Sequence, residues 1–201
     1  MNEIEQLQVE ISQKIARLNE LRKAAPPIPV KNYEFETLEG RVTLLDLFAG
    51  KTTLFAIHNM GQGCRYCTTW ADGFNPFVPH LESAFAVVLL SKDPPETQRL
   101  FANGRGWRFR MASHGGREYL EEQGVVPGEG NMPGMVCYQR VGEGGTQIVR
   151  KNAAVFGPGD LFCSIWHILS LAGVGEGDWT PQYSYWRRPR QMDDGGLNIL
   201  D

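Results

Sequence analysis

Residues 52–75 read "TTLFAIHNMGQGCRYCTTWADGFN". The β-branched and aromatic run "KTTLFAIHNM" (51–60) stops at a glycine-rich turn, and Cys64 and Cys67 follow with two residues between them. A run with no polar break until its end predicts a central strand buried on both faces. A C-x-x-C alone is a weak signal, but straight after such a strand and ahead of a helix it points to redox chemistry. Amides opening a helix, together with its dipole, stabilise a thiolate on the first cysteine. The thiolate is the species that attacks a disulfide, and a second cysteine one turn away resolves the mixed disulfide. Arg65 would add a positive charge beside the nucleophile.

Working outward, "PFVPHLESA" holds a short helix and "AFAVVLLS" (84–91) a second buried strand. "DPPETQRLFANGRG" has proline in its first helical turn and glycine past its last, which signals both ends of a helix. "WRFRMAS" reads as a strand and "REYLEEQGV" as a short helix. "NMPGMVCYQR" and "TQIVRKNA", joined by "VGEGG", read as a hairpin. "GPGDLFCSIWHILSLAG" opens like a helix and carries an apolar face through Phe162, Ile165, Trp166 and Leu169. Upstream, "NYEFETLEGRVTLLDLF" reads as a hairpin or a strand with a short turn. Strands alternating with helices, then an antiparallel pair, predict an α/β fold with a central mixed sheet flanked by helices.

Residues 2–23 place Ile4, Leu7, Ile11, Ile15, Leu18 and Leu21 at steps of three and four, the spacing of an amphipathic helix. "AAPPIPV" ends it, since proline lacks an amide donor and bars helical geometry before it. The expected organisation is an N-terminal helix over 1–25, for packing or dimerisation, and a main domain over 26–172. A C-terminal extension over 173–201 would wrap the surface.

The 201 residues carry a formal charge of -3, with 42% apolar and 21% charged side chains, as in ordinary globular chains. That charge argues against nucleic acid as a partner, and "WRRPR" (186–190) is too short to reverse it. The N-terminus has no secretory pattern and no stretch reaches the roughly 20 apolar residues of a membrane span. The expectation is a cytoplasmic protein without a membrane partner. Four cysteines are too few for a disulfide scaffold.

The segments "RKAAPPIPVKNYEFETLEGRVTLLDLFAGKTTLFAIHNM", "GCRYCTTWADGFN", "VPHLESAFAVVLLSKDPPETQRLFANGRGWRFRMAS" and "NMPGMVCYQR" carry a family resemblance. The chain resembles the bacterial thioredoxin-like proteins grouped as domain of unknown function 899, in the thioredoxin and alkyl hydroperoxide reductase clan. The resemblance implies a thioredoxin-like fold and delivers no activity. Thioredoxin-like sites place a proline, commonly cis, before the first strand of the terminal hairpin and facing the cysteines. Met132-Pro133 stands there, and the expectation is a cis peptide bond, with a trans turn proline as the ordinary alternative.

Departures narrow the chemistry. Peroxiredoxins carry a hydroxyl residue three positions before the peroxidatic cysteine; here Gly61 precedes Cys64 and Cys64 precedes Cys67 at that distance. Peroxide reduction by that design is disfavoured. Thioredoxins carry a buried carboxylate six residues before the first cysteine, whereas this chain has His58. A neutral imidazole could accept the resolving thiol's proton, or His58 could be a hydrogen-bonded strand histidine.

A structural zinc site needs four ligands. Cys137 and Cys163 are single and sit in apolar runs, where a small buried hydrophobe is expected. Trp70 would shield the disulfide or simply pack, and Asp72 would serve as a cap or internal acceptor. "GRGW" (104–107) lacks the lysine of a phosphate loop and reads as a turn. His114 reads as a loop residue and His167 as a core residue. His80 carries no signal.

These residues together predict a thiol–disulfide oxidoreductase or redox sensor with Cys64 as nucleophile and Cys67 as resolving thiol. Pro133, Trp70, His58 and Arg65 would shape the site, with no organic cofactor or metal and a protein or small-molecule disulfide as partner. Two other readings are a thioredoxin-fold binding module with inert thiols, dimeric through its N-terminal helix, and an atypical peroxidase.

Overall fold

Residues 2–116 and 118–183 are described by this computed structural model. The chain opens with helix α1 (Glu3–Ala24) and continues through β1 (Ile28–Val30), β2 (Glu34–Thr37), β3 (Gly40–Thr43) and a single-turn α2 (Leu44–Leu47). The strand that decides the fold is β4 (Thr53–His58), followed by α3 (Arg65–Phe74), a 3-10 turn, α4 (Val78–Glu82) and β5 (Ala86–Ser91). Then come α5 (Pro95–Arg105), β6 (Arg110–Ser113), α6 (Glu118–Gln123), β7 (Gly134–Val141), β8 (Gln147–Val155) and α7 (Ser164–Leu171).

Among the described residues the strands form one eight-stranded sheet, ordered β1-β8-β7-β4-β5-β6-β2-β3. β4, β5 and β6 run parallel, while β7 is antiparallel to β4 with His58 opposite Gly134. The fold is thioredoxin-like, a mixed sheet flanked by helices with an added N-terminal amphipathic helix.

Side-chain alternation assigns each residue of β4 and β5 to a face. Leu54, Ala56, Val88 and Leu90 join Phe35 and Tyr138 on one side. Ile57, Val87 and Leu89 join Trp70, Phe74 and Trp166 on the other. α3 therefore covers the second side. That assignment decides which neighbours the cysteines can have.

Two elements were not expected from sequence. β1 lies within "AAPPIPV", where the prolines read only as a helix end. It is an edge strand paired on one side with β8, where a proline costs no ladder bond if its nitrogen faces outward. α2 follows the β2–β3 hairpin because Thr43 and Asp46 form a reciprocal cap. α5 ends where Gly106 adopts φ +67°, the left-handed conformation that glycine takes without penalty. The described part of the C-terminal segment lies against the α3 side, with Trp179 edge-on to Trp166 at 5.7 Å between centroids. "WRRPR" and the rest of the tail lie outside the described residues.

Candidate functional site

Cys64 is the N-cap of α3, and its Sγ accepts the backbone N–H of Cys67 at 3.1 Å. Its carbonyl accepts from the N–H and the Oγ1 of Thr68, each at 3.0 Å, which starts the helix. A sulfur here takes the place of the side-chain oxygen that usually caps a helix. The Cys67 thiol beside Cys64 and the amides of Cys67 and Tyr66 hold the Cys64 thiol down to about 6, against a partial burial that pushes it up. Cys67 moves the other way: its hydrogen bond to Cys64 and its burial push the thiol far above the ordinary range. The first cysteine is half-buried and the second is 3% exposed. The surroundings favour the thiolate at the half-exposed sulfur and the protonated thiol at the buried one.

The loop that delivers Cys64 to the helix start is held from two sides. Asn59 accepts the N–H of Gly61 at 2.8 Å and donates from Nδ2 to the Cys67 carbonyl at 3.4 Å. The Asp93 carboxylate accepts the N–H of Gln62 at 2.8 Å. Gly61 has φ +112°, and a Cβ there would stand 2.7 Å from the same carboxylate. Neither Asn59 nor Asp93 was singled out from sequence. The signal available was Asn59 itself, a polar residue directly after the buried strand, which turn chemistry favours.

His58 does not serve the cysteines. It shares the strand face of Leu54 and Ala56, opposite α3, and its Nε2 pairs with the Tyr119 hydroxyl at 2.9 Å. Tyr119 continues to Tyr138 at 3.1 Å, so the histidine belongs to a buried polar chain under α6. Burial above all, with His114 and Arg150 adding to it, pushes His58 down to about 3. The ordinary strand-histidine alternative is the one found: the side chain lies on the strand face opposite α3, bonded to Tyr119.

Pro133 stands one step beyond the His58–Gly134 pair, at the end of the sheet where β4 runs into the loop of Met60. Asn131 Nδ2 donates to the Met60 carbonyl at 3.5 Å, and the Pro133 carbonyl accepts from Phe156 N–H at 2.9 Å. The Met132–Pro133 bond is trans, as are all described peptide bonds, which corrects the cis expectation. Gly128 and Gly130, both at positive φ, and the Met132 N–H to Gly130 carbonyl bond at 3.0 Å supply the chain reversal instead.

Trp70 is 2% exposed, its ring lying parallel to Phe156 at 6.0 Å between centroids. Its Nε1 donates to Asp160 at 2.9 Å, so it anchors α3 to the segment ahead of α7. Asp160 also accepts the N–H groups of Gly157, Phe162 and Cys163. Asp72 is an internal acceptor for Arg105 and for Trp107 Nε1. Arg65 begins α3 directly after Cys64. Tyr183, unremarked in sequence, comes close enough that the Cys64 thiolate adds to the burial that raises its phenol.

The remaining expectations divide. Cys163 is buried, while Cys137 is only half-buried on β7, with burial pushing its thiol up to about 11. His114 is the loop residue expected, directly after β6, but a buried one at 5% exposed, its Nδ1 accepting from Gly116 N–H at 3.0 Å. His167 is exposed rather than core, its Nε2 3.0 Å from the Asp160 carbonyl. Among the described residues no cluster of three or more His, Cys, Asp or Glu stands at metal-binding distance. No described helix is long and apolar enough to cross a membrane.

A strand, a cysteine-capped helix and an antiparallel hairpin alongside define a thioredoxin-fold protein with a C-x-x-C at the helix start. The chain belongs to the family described as bacterial protein of unknown function (DUF899), which it matches over residues 5–191. Among solved structures it is similar to the bacterioferritin comigratory protein of Xanthomonas campestris, described for its alkyl peroxide reduction activity. That likeness has a TM-score of 0.52 and 15% identity, over 70% of this chain and 88% of that one. It is also similar to a cysteine-to-serine mutant of PrxQ from Xylella fastidiosa, with a TM-score of 0.54 and 14% identity, over 73% and 96% of the two chains. Such likeness establishes the shared fold. No curated protein matches the sequence.

Proposed function

We propose that this protein is a cytoplasmic thiol–disulfide oxidoreductase in which Cys64 attacks and Cys67 resolves. The observation that carries the reading is the Cys67 N–H donated to Cys64 Sγ at the start of α3, with one sulfur half-exposed and the other buried. A thiolate held by helix-start amides is the nucleophile that disulfide exchange requires.

The Cys64 thiolate attacks one sulfur of a substrate disulfide R–S–S–R′, forming Cys64–S–S–R and expelling R′S⁻. Cys67 then attacks the Cys64 sulfur, expelling RS⁻, to which its proton passes. The substrate gains two electrons and the protein holds a Cys64–Cys67 disulfide. A cellular thiol reductant reverses that by the same exchange, which a reducing cytoplasm supplies. In this reading Pro133 and Asn131, at the Met60 end of the sheet, and Tyr183, which senses the Cys64 charge, would shape access for an extended disulfide-bearing segment.

Insulin reduction with dithiothreitol as donor tests the reading. Wild type should accelerate precipitation of the insulin B chain and Cys64→Ser should not, while Cys67→Ser should accumulate a mixed disulfide at Cys64. Equal, negligible rates in wild type and Cys64→Ser, with no trapped species, would instead favour a binding module with inert thiols.

A further inference from the structure

Helix α1 runs 22 residues, about 33 Å at 1.5 Å per residue, and none of its residues is buried. Its aliphatic side chains face water: Ile4 is 69% exposed, Leu7 51%, Ile11 52% and Leu21 51%. Its polar contacts to the rest of the described chain fall at its C-terminal end. Asn152 Nδ2 donates to the Arg22 carbonyl at 3.1 Å, Lys151 Nζ donates to the Lys23 carbonyl at 3.1 Å, and Arg22 lies 5.8 Å from the Phe162 ring centroid. The half-buried residues, Ile15 and Arg22, are two turns apart on one face. That face touches the protein's own body, and the stripe beside it does not.

The uncovered stripe has the seven-residue repeat of a two-stranded coil. Ile4, Ile11 and Leu18 occupy one seam position, and Leu7, Lys14 and Leu21 the other. Val9 lies outside the seam. In proteins most of a helix's stability comes from packing its apolar face. We propose that the occupant of this face is α1 of a second copy of the chain, running antiparallel.

Charge selects both the partner and the direction. Residues 3–13 carry Glu3, Glu5 and Glu10 and no basic residue, whereas residues 14–24 carry Lys14, Arg17, Arg22 and Lys23 against Glu20. Each half of the helix is therefore complementary to the opposite half of an identical helix. Antiparallel packing sets Ile4 against the second copy's Leu21, Leu7 against its Leu18 and Ile11 against its Lys14, with Glu10 flanking its Arg17. The Lys14 stem covers Ile11 while its ammonium reaches water. A parallel pair in register would instead bring Lys14 against Lys14, acid against acid and base against base, which like-charge repulsion opposes.

Sedimentation equilibrium of the full chain at micromolar concentration tests this. Wild type should be a dimer, and Ile11→Asp/Leu18→Asp should be a monomer with unchanged thermal unfolding of the sheet domain and unchanged Cys64 alkylation. Glu10→Arg and Arg17→Glu should each weaken the dimer, by about tenfold or more in dissociation constant for two lost ion pairs plus repulsion. Glu10→Arg/Arg17→Glu in one chain should restore it. A monomeric wild type, a dimer indifferent to the aspartates, or no rescue by the double charge exchange would each overturn the assignment. Because the readout is mass, the outcome is independent of whether the cysteines are active.

Discussion

The backbone N–H of Cys67 points at Cys64 Sγ from 3.1 Å, so the second cysteine stabilises the first through its main chain as well as its thiol. In the reduced protein, alkylation of Cys64 by iodoacetamide should follow a titration with its midpoint near 6, while Cys67 stays unmodified until the protein unfolds. Cys67→Ala removes the thiol donor, the largest cause of the shift, and keeps the amide. The midpoint should then move up toward the ordinary thiol value. Rate against pH, read by peptide mass spectrometry, checks both.

Gly61 and Gly63 flank the same loop and should respond differently to alanine. At Gly61, φ +112° and the Asp93 carboxylate 2.7 Å from the new Cβ oppose the side chain, whereas a Cβ at Gly63 meets nothing within 4 Å. Gly61→Ala should cost roughly 1–3 kcal/mol, and at about 2–4 °C per kcal/mol this lowers Tm visibly. Gly63→Ala should leave Tm nearly unchanged. Calorimetry of the two variants decides it.

His58 and His114 are both held neutral by burial, down to about 3 and about 4 against an ordinary 6.5. The unfolded chain binds their protons first, so stability falls as pH drops below 6.5. The slope approaches about 1.4 kcal/mol per pH unit for each histidine until the folded values are reached. His58→Phe should remove one proton from that dependence while exposing the Tyr119 hydroxyl to partner loss. Urea unfolding at pH 7.5, 6, 5 and 4.5 should therefore give a shallower acid slope in the variant, even where its stability at neutral pH is lower.

Asp160 gathers Trp70 Nε1 and three backbone amides at the turn before α7. Asp160→Ala strands these donors and should cost roughly 2–4 kcal/mol. Asp160→Asn keeps one acceptor oxygen and should cost less. Tryptophan fluorescence during unfolding would show the difference.

The β-α-β run, the terminal hairpin and the helix opening at the cysteines were legible because buried strands and capped helices leave strong local patterns. Gly106 and the paired prolines marked both ends of α5. β1 was not legible, since Pro29 on an edge strand looks the same as Pro in a linker. The Cys64–Cys67 spacing carried the pair, but His58 shows the limit of counting back along a chain. Residue separation does not say which face of a strand a side chain takes unless the register is known. Asp93 acts through Gln62, distant in sequence, and no local pattern announces it; Asn59 offered only its place after the strand, and Asp160 reaches Trp70 far along the chain besides the amides of its own turn.

The most direct test of the central claim is thiol mapping after mild oxidation of the reduced protein with a slight excess of oxidised glutathione. The account predicts one intramolecular Cys64–Cys67 disulfide, with Cys137 and Cys163 still free to alkylate once the protein is denatured. Recovery of Cys64 and Cys67 both as free thiols, in protein that was folded throughout, would contradict it.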